Sequence, residues 1–256
     1  MSMMEAIKNM LAMIELEMRR LRHDRTEMYF RVVQPVLWIT VYAPVMSRAR
    51  AIPTGGVPYI DFITPGVIVQ AATFVSIFYG LTIVWERDSG ILKRLLVTPA
   101  PRYSIVIGRA MASGVRAIFP TFIIIPIALA LGVRLLPNPA YLIAALVLIF
   151  LCSGGFAALS ILIVSLTKTR ERLMGVGQAV VMPLFFASNA LYPVSMMPSI
   201  LREIALINPL SYMVDAARGL MITGDTSGLL LDALAIASFD ALMFTLSSIT
   251  FRRILE

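Results

Sequence analysis

Apolar residues in this chain do not alternate with polar ones; they run in long blocks separated by short charged segments. Residues 62–85 and 141–166 contain no Asp, Glu, Lys or Arg over 24 and 26 positions. Each is longer than the ~20 residues an α-helix needs to cross a bilayer core. Shorter blocks extend the pattern, and the chain predicts six spanning helices, approximately at 29–47, 62–85, 105–133, 141–166, 174–192 and 229–251. The first and third contain Pro35, Pro44, Pro120 and Pro126, whose missing N–H groups free carbonyls that neighbouring helices must satisfy. In the third, the charge-free stretch begins only at Ala117. The predicted class is an all-α membrane protein, one membrane domain over 1–256, with no repeat at a fixed period.

Three other segments keep a helical period but are too short or too charged to span. In 1–28, Met3, Ile7, Met10, Leu11, Ile14, Met18 and Leu21 recur at steps of three and four, with charges between them. This predicts an amphipathic helix lying in the membrane interface or packed on a partner. In 86–102, Ile91, Leu92, Leu95 and Leu96 share one helical face and Lys93 and Arg94 the other, while Pro99 and Pro101 end the helix after about two turns. A leucine stripe of this kind lies flat on the bilayer or docks into a groove of another protein. The connection 193–226 is apolar for a loop and is divided by Pro193, Pro198 and Pro209. Leu210, Met213, Val214, Ala217 and Met221 lie opposite Asp215 and Arg218, which predicts short re-entrant helices on the outer side. Such backbone is tolerated at membrane depth only where protein or a water-filled cavity surrounds it.

Composition agrees: 59% of residues are hydrophobic and 14% charged, which excludes an ordinary soluble globule. Charge sets the orientation. Of 22 Lys and Arg residues, sixteen fall in the N-terminal segment, the second and fourth connections and the tail, and five on the opposite face. Positive charge is retained in the cytoplasm on insertion, so both termini are expected there, in a multi-pass protein of the cell membrane. The net charge of +7 is mostly this topological bias, and no nucleic-acid partner is needed to explain it. The charged N-terminal segment lacks the apolar core of a cleavable signal peptide. The single cysteine, Cys152, has no intrachain disulfide partner. Gly154 with Ala158, and Gly175, Gly177 and Ala179, suit close helix contact.

Chemistry narrows the function. The phosphate-cradling pattern G-x-x-x-x-G-K-[ST] is missing, since Gly-Lys never occurs. The one histidine, His23, lies among arginines, so the spans offer neither a His-based metal site nor a Ser-His-Asp triad. The chain is not expected to be an enzyme, and directed transport would draw on an ion gradient or another subunit. Asp240, near the middle of the sixth span, is a functional candidate because a charge there costs at least ~2.5 kcal/mol. It binds a cation on the translocation path, or is protonated or hydrogen-bonded to Ser or Thr of a neighbouring span. Arg116 snorkels to the headgroups or lines an inner cavity. A gradient-driven carrier or channel using Asp240 is therefore the alternative class. A lipid enzyme lacks a convincing acid–base pair.

At this point the chain resembles the membrane subunits of ABC-type exporters of the type-2 class, nearest to daunorubicin-resistance-like drug permeases and polysaccharide or lipid permeases. The resemblance covers nearly the whole chain. Its most specific pieces are Glu86-x-x-x-Gly90-x-Leu92-x-x-Leu95-Leu96-x-Thr98-Pro99 and Pro209-Leu210-x-Tyr212 followed by Arg218, with Met197-Pro198 before it. It implies that the 86–102 helix is a coupling helix seated in a separate ATPase subunit. Leu92, Leu95 and Leu96 would be its anchors, Glu86 and Arg102 flanking polar contacts, and Gly90 the sharp bend at its start. It further implies a second permease subunit, two nucleotide-binding subunits that hold ATP and magnesium, and no cofactor in this chain. An amphipathic, drug-like or lipid-linked substrate would leave the cytoplasm between the two permease subunits. With only Trp38 and Trp85 as tryptophans, both plausible as interfacial anchors, a drug-like substrate is favoured over a glycan.

Overall fold

The computed structural model describes residues 15, 25–50, 52–90, 102–166 and 170–251. All regular structure among them is helical. Helix α1 (Arg25–Leu37) passes through a π turn (Trp38–Tyr42) into α2 (Ala43–Ala49). Next come α3 (Tyr59–Leu81), α4 (Ile83–Asp88), α5 (Arg102–Ala130), α6 (Pro139–Leu166) and α7 (Arg170–Phe186). A 3-10 turn (Val194–Met196), α8 (Ser199–Ile207), α9 (Pro209–Arg218) and a second π turn (Gly219–Thr223) form a hairpin region before α10 (Leu229–Thr250).

Helix α6 is apolar on every side, so no face is set aside for water, and α3, α5 and α10 pack around it. Helix α3 is almost wholly enclosed, by α5, α6, α7 and α9. Helix α10 rests on α6 and α9 and leaves most of its surface open, with Leu230, Leu234, Leu242 and Ile249 exposed. Apolar surface of that kind has a solvent in acyl chains.

Among the described residues, four helical stretches, 59–86, 106–130, 139–166 and 229–250, are long and apolar enough to cross a membrane. The first predicted span is helical, the fifth is helical only as far as Phe186, and both fall short of that standard. Helix α7 has 17 residues, and the first run is divided into pieces of 13, 5 and 7 by the π turn that follows Pro35. Pro44, just past that turn, has no N–H to offer the turn's carbonyls, the Ala43 N–H reaches back to Trp38 O, and Thr40 Oγ1 donates to Val36 O at 2.8 Å. Pro120 and Pro126 do not break α5, which runs for 29 residues from Arg102. Trp38 lies mid-run, packed edge-on against Tyr42 and Phe185, and not at the end where an interfacial anchor would sit.

The tightest contact between α6 and α10 falls at Gly155, beside Gly154, which is itself closely packed as its spacing suggests. A Cβ on Gly155 would collide with the Asp240 carboxylate, whereas one on Gly154 would meet the Phe244 ring at 3.3 Å. Gly155→Ala is therefore expected to lower stability by about 1–3 kcal/mol. Gly175→Ala should cause no loss, because a Cβ there meets no atom within 4 Å. Thermal unfolding in detergent checks both, and a double change of Gly155→Ala with Asp240→Ala should recover most of the loss. Equal effects at the two glycines would refute this contact.

Candidate functional site

Two polar clusters sit at opposite ends of the bundle. At the end that carries the 89–101 connection, α3 gives way to α4 at Thr82. There the Thr82 N–H reaches Tyr79 O at 3.1 Å and the Trp85 N–H reaches Thr82 O at 3.0 Å, both one residue short of the α-helical step. Arg109, about two turns into α5, bridges this joint. Its Nη1 donates to the Glu86 carboxylate and its Nη2 to Thr82 Oγ1 at 3.1 Å. Thr82 Oγ1 donates onward to Tyr79 O at 2.7 Å. The Tyr79 ring lies 5.4 Å from the Arg109 guanidinium and 4.7 Å from that of Arg116. The ion pair is enclosed, the side chains of Arg109 and Glu86 being 4% and 12% exposed. Beside it Leu81, Ile83, Val84, Val106, Ile161, Val164 and Phe251 form a small apolar core that joins α4 to α5, α6 and the end of α10.

Glu86 thus turns toward Arg109 inside the chain. Gly90 ends the segment with φ +74°, a left-handed conformation that costs other residues roughly 1–2 kcal/mol. Leu92, Leu95, Leu96 and Pro99 lie outside the described residues, as does nearly all of 1–28, and Arg102 is placed only as the first residue of α5. Arg116 is half-buried against Tyr79. Asp240 lies between α10 and α6. Its Oδ1 is buried against Gly155 and makes no hydrogen bond of regular geometry among the described residues, so the expected Ser or Thr partner is not found there. Among the described residues no three His, Cys, Asp or Glu side chains converge to hold a metal.

At the other end the hairpin is held by hydrogen bonds to backbone. The Arg218 guanidinium donates to Asn189 O at 2.8 Å, Phe62 O at 3.2 Å and Asp215 Oδ1 at 3.1 Å, and stacks 3.8 Å from the Phe62 ring. Burial lowers its pKa to about 10, opposed by the Asp215 charge, and it stays protonated at neutral pH. Asn208 Oδ1 caps α9 by accepting from Leu210 N at 3.0 Å, while its Nδ2 donates to Leu184 O and Ala187 O at the end of α7. Tyr59 OH donates to Leu191 O, and Asp61 Oδ1 accepts from Arg134 N. Gly66 lets α3 approach Ala190, whose carbonyl would stand 2.6 Å from a Cβ. Tyr212 OH donates to Leu206 O at 2.5 Å, Pro209 opens α9, and Pro198 precedes α8. Of these residues, sequence reading singled out Pro198, Pro209, Tyr212 and Arg218 but not Asn208, Tyr59 or Asp61.

Residues 8–222 match the ABC-2 type transporter family, well over half of the sequence. The chain belongs to this family. As a member of this family with several apolar helices of spanning length it is a multi-pass membrane protein, and its two polar clusters lie within the matched region. It is 33% identical over 189 residues to the "Putative transport permease ycf38" of Cyanophora paradoxa, covering 73% of this chain and 65% of that one. The match therefore spans somewhat less than two thirds of that relative's length. It is 25% identical over 208 residues to the "Daunorubicin resistance ABC transporter permease protein DrrB1" of Streptomyces coeruleorubidus, 80% of this chain and 71% of the other. With "Nodulation protein J" of Sinorhizobium fredii it shares 24% identity over 194 residues, covering 75% and 73%.

Proposed function

We propose that this permease is the membrane subunit of an ATP-driven exporter, energised by a separate ATPase subunit that grips the 86–102 segment. The observation that carries the proposal is the Arg109–Glu86–Thr82 cluster: the two stems of that segment are joined by an enclosed ion pair and an apolar core, as a handle must be. ATP and magnesium are bound by the partner, consistent with a sequence that lacks the phosphate-cradling pattern. The working unit is two permease subunits, identical in the simplest case, with two ATPase subunits, and the substrate passes between the permeases. The face of α1 and α2 supports this arrangement: Gln34, Leu37, Trp38, Val41, Tyr42 and Val45 line an apolar groove of about 500 Å³.

The first run and α7 complete six spans, with both termini in the cytoplasm of a cell-membrane protein, as the lysine and arginine bias supports. The 1–28 segment lies along the cytoplasmic interface and the hairpin dips into the outer leaflet. The substrate is an amphipathic, drug-like or lipid-linked molecule; the name of the daunorubicin-resistance relative supports the drug-like choice. Purification of the tagged permease from native membranes tests the core of this reading. An ATPase subunit should accompany it in equal number, and a permease that purifies with none would count against the proposal.

Asp240 favours a second reading, a gradient-driven carrier, because its buried Oδ1 lacks a regular hydrogen bond. If Asp240 meets the substrate, Asp240→Asn should change the preference between cationic and neutral compounds more than it changes ATP hydrolysis. Unaltered transport of both compound types rejects a substrate role.

A further inference from the structure

Every helix that leads into or out of the 89–101 connection meets at Arg109. The joint at Thr82 is a weak point, because a helix that steps briefly to i→i−3 bonding bends there more readily than elsewhere. Left to itself, Thr82 would absorb a push on α4 as a change of angle. Arg109 spans that joint. One guanidinium nitrogen holds Thr82 at the bend, the other holds Glu86 one turn beyond it, and the Tyr79 ring one turn before it lies under the same group. Arg109 belongs to α5, the helix on the far side of the connection, 23 residues along the chain from Glu86. A single side chain therefore ties the incoming stem, its hinge and the outgoing stem, in a site closed to water where the pair is little screened.

We propose that Arg109 is the positioning residue that locks the Thr82 joint, so that displacement of the 89–101 connection moves α3 and α5 together instead of bending α4 alone. This rests on the reading of 86–102 as the segment an ATPase subunit grips. Without Arg109 that subunit still docks and still hydrolyses ATP, but the stroke is lost at Thr82 and the yield of transport per ATP falls.

The test uses the full complex of permease and ATPase subunits in inverted vesicles, with daunorubicin as probe, and measures uptake and ATP hydrolysis on the same sample. Arg109→Gln takes from enclosed Glu86 its contact with the Arg109 guanidinium and can fail to fold, so the paired change Glu86→Met with Arg109→Met is made as well. Removing both charges of an enclosed pair is often tolerated where removing one is not. The paired variant should assemble with the ATPase subunit, keep its hydrolysis, and carry about tenfold less daunorubicin per ATP hydrolysed. Arg109→Lys, which keeps the charge but not the two-pronged reach, should fall between. Transport per ATP equal to that of the unaltered complex overturns the proposal, and so does a fall of hydrolysis and transport in equal proportion, which marks a merely structural pair. Failure of the unaltered complex to take up daunorubicin on adding ATP strikes instead at the function proposed above.

Discussion

Replacing Leu95 and Leu96 together with Asp should release the ATPase subunit while the permease still inserts and folds. By their spacing both leucines fall in the stripe that the sequence predicts for a two-turn segment before Pro99 and Pro101, opposite Lys93 and Arg94. If that stripe fills a groove, two leucines contribute about 3–6 kcal/mol of burial, and aspartates in their place add the cost of desolvated charge. A loss of this size lowers affinity by roughly 10²–10⁴-fold, enough to abolish co-purification. The spanning helices do not depend on these positions, so the amount of permease in the membrane should stay the same. The measurement is recovery of the ATPase subunit on tagged permease, normalised to permease. Unchanged recovery would mean that the stripe lies on lipid.

A comparable loss, in stability and not in partner binding, is expected from Arg218→Met. The guanidinium satisfies Asn189 O and Phe62 O from within the fold, with its side chain 12% exposed, and joins α9 to both α3 and the turn after α7. Charge-assisted hydrogen bonds to buried carbonyls contribute about 1.5–3 kcal/mol each, so a loss of about 3 kcal/mol is expected. Asp215 is half exposed, at 49%, and its share of the pair is small. Asp215→Asn should therefore change stability by less than about 1 kcal/mol. Arg218→Lys should behave more like Arg218→Met, because an ammonium cannot reach three acceptors in three directions and stack on Phe62. Thermal unfolding in detergent reads all three. If Asp215→Asn proved as damaging as Arg218→Met, the ion pair and not the backbone bonds would be what holds the hairpin.

The blocks at 62–85 and 141–166 were legible because charge is excluded from a bilayer core, and 229–251 by its apolar composition despite Asp232 and Asp240; the corresponding helices begin and end within a few residues of those limits. The long third helix was less so. Its first turns carry Arg102 and Arg109, which read as cytoplasmic charge, while in the fold Arg109 is buried. Nothing local pairs it with Glu86, since that contact depends on how α4 packs across α5. The placement of Arg109 among Val106, Ala110 and Ala112 was the available sign that this arginine faces protein. Asn208 before Pro209 could have been recognised, because a cap residue followed by proline opens many helices. Its second role, closing the end of α7, needs the tertiary fold. That Gly155 and not its neighbour Gly154 is the tightest point against α10 was not legible, because small residues show that helices approach closely, not the angle at which they meet.

The most direct test is flux in sealed vesicles. Purified permease is reconstituted with and without its ATPase subunit, daunorubicin is offered on the ATPase side, and uptake is followed on adding ATP with magnesium. Uptake should require both the ATPase subunit and hydrolysable ATP, and should be indifferent to imposed proton or sodium gradients. Uptake by the permease alone, driven by such a gradient and abolished by Asp240→Asn, would contradict an ATP-driven exporter and establish a gradient-driven carrier in its place.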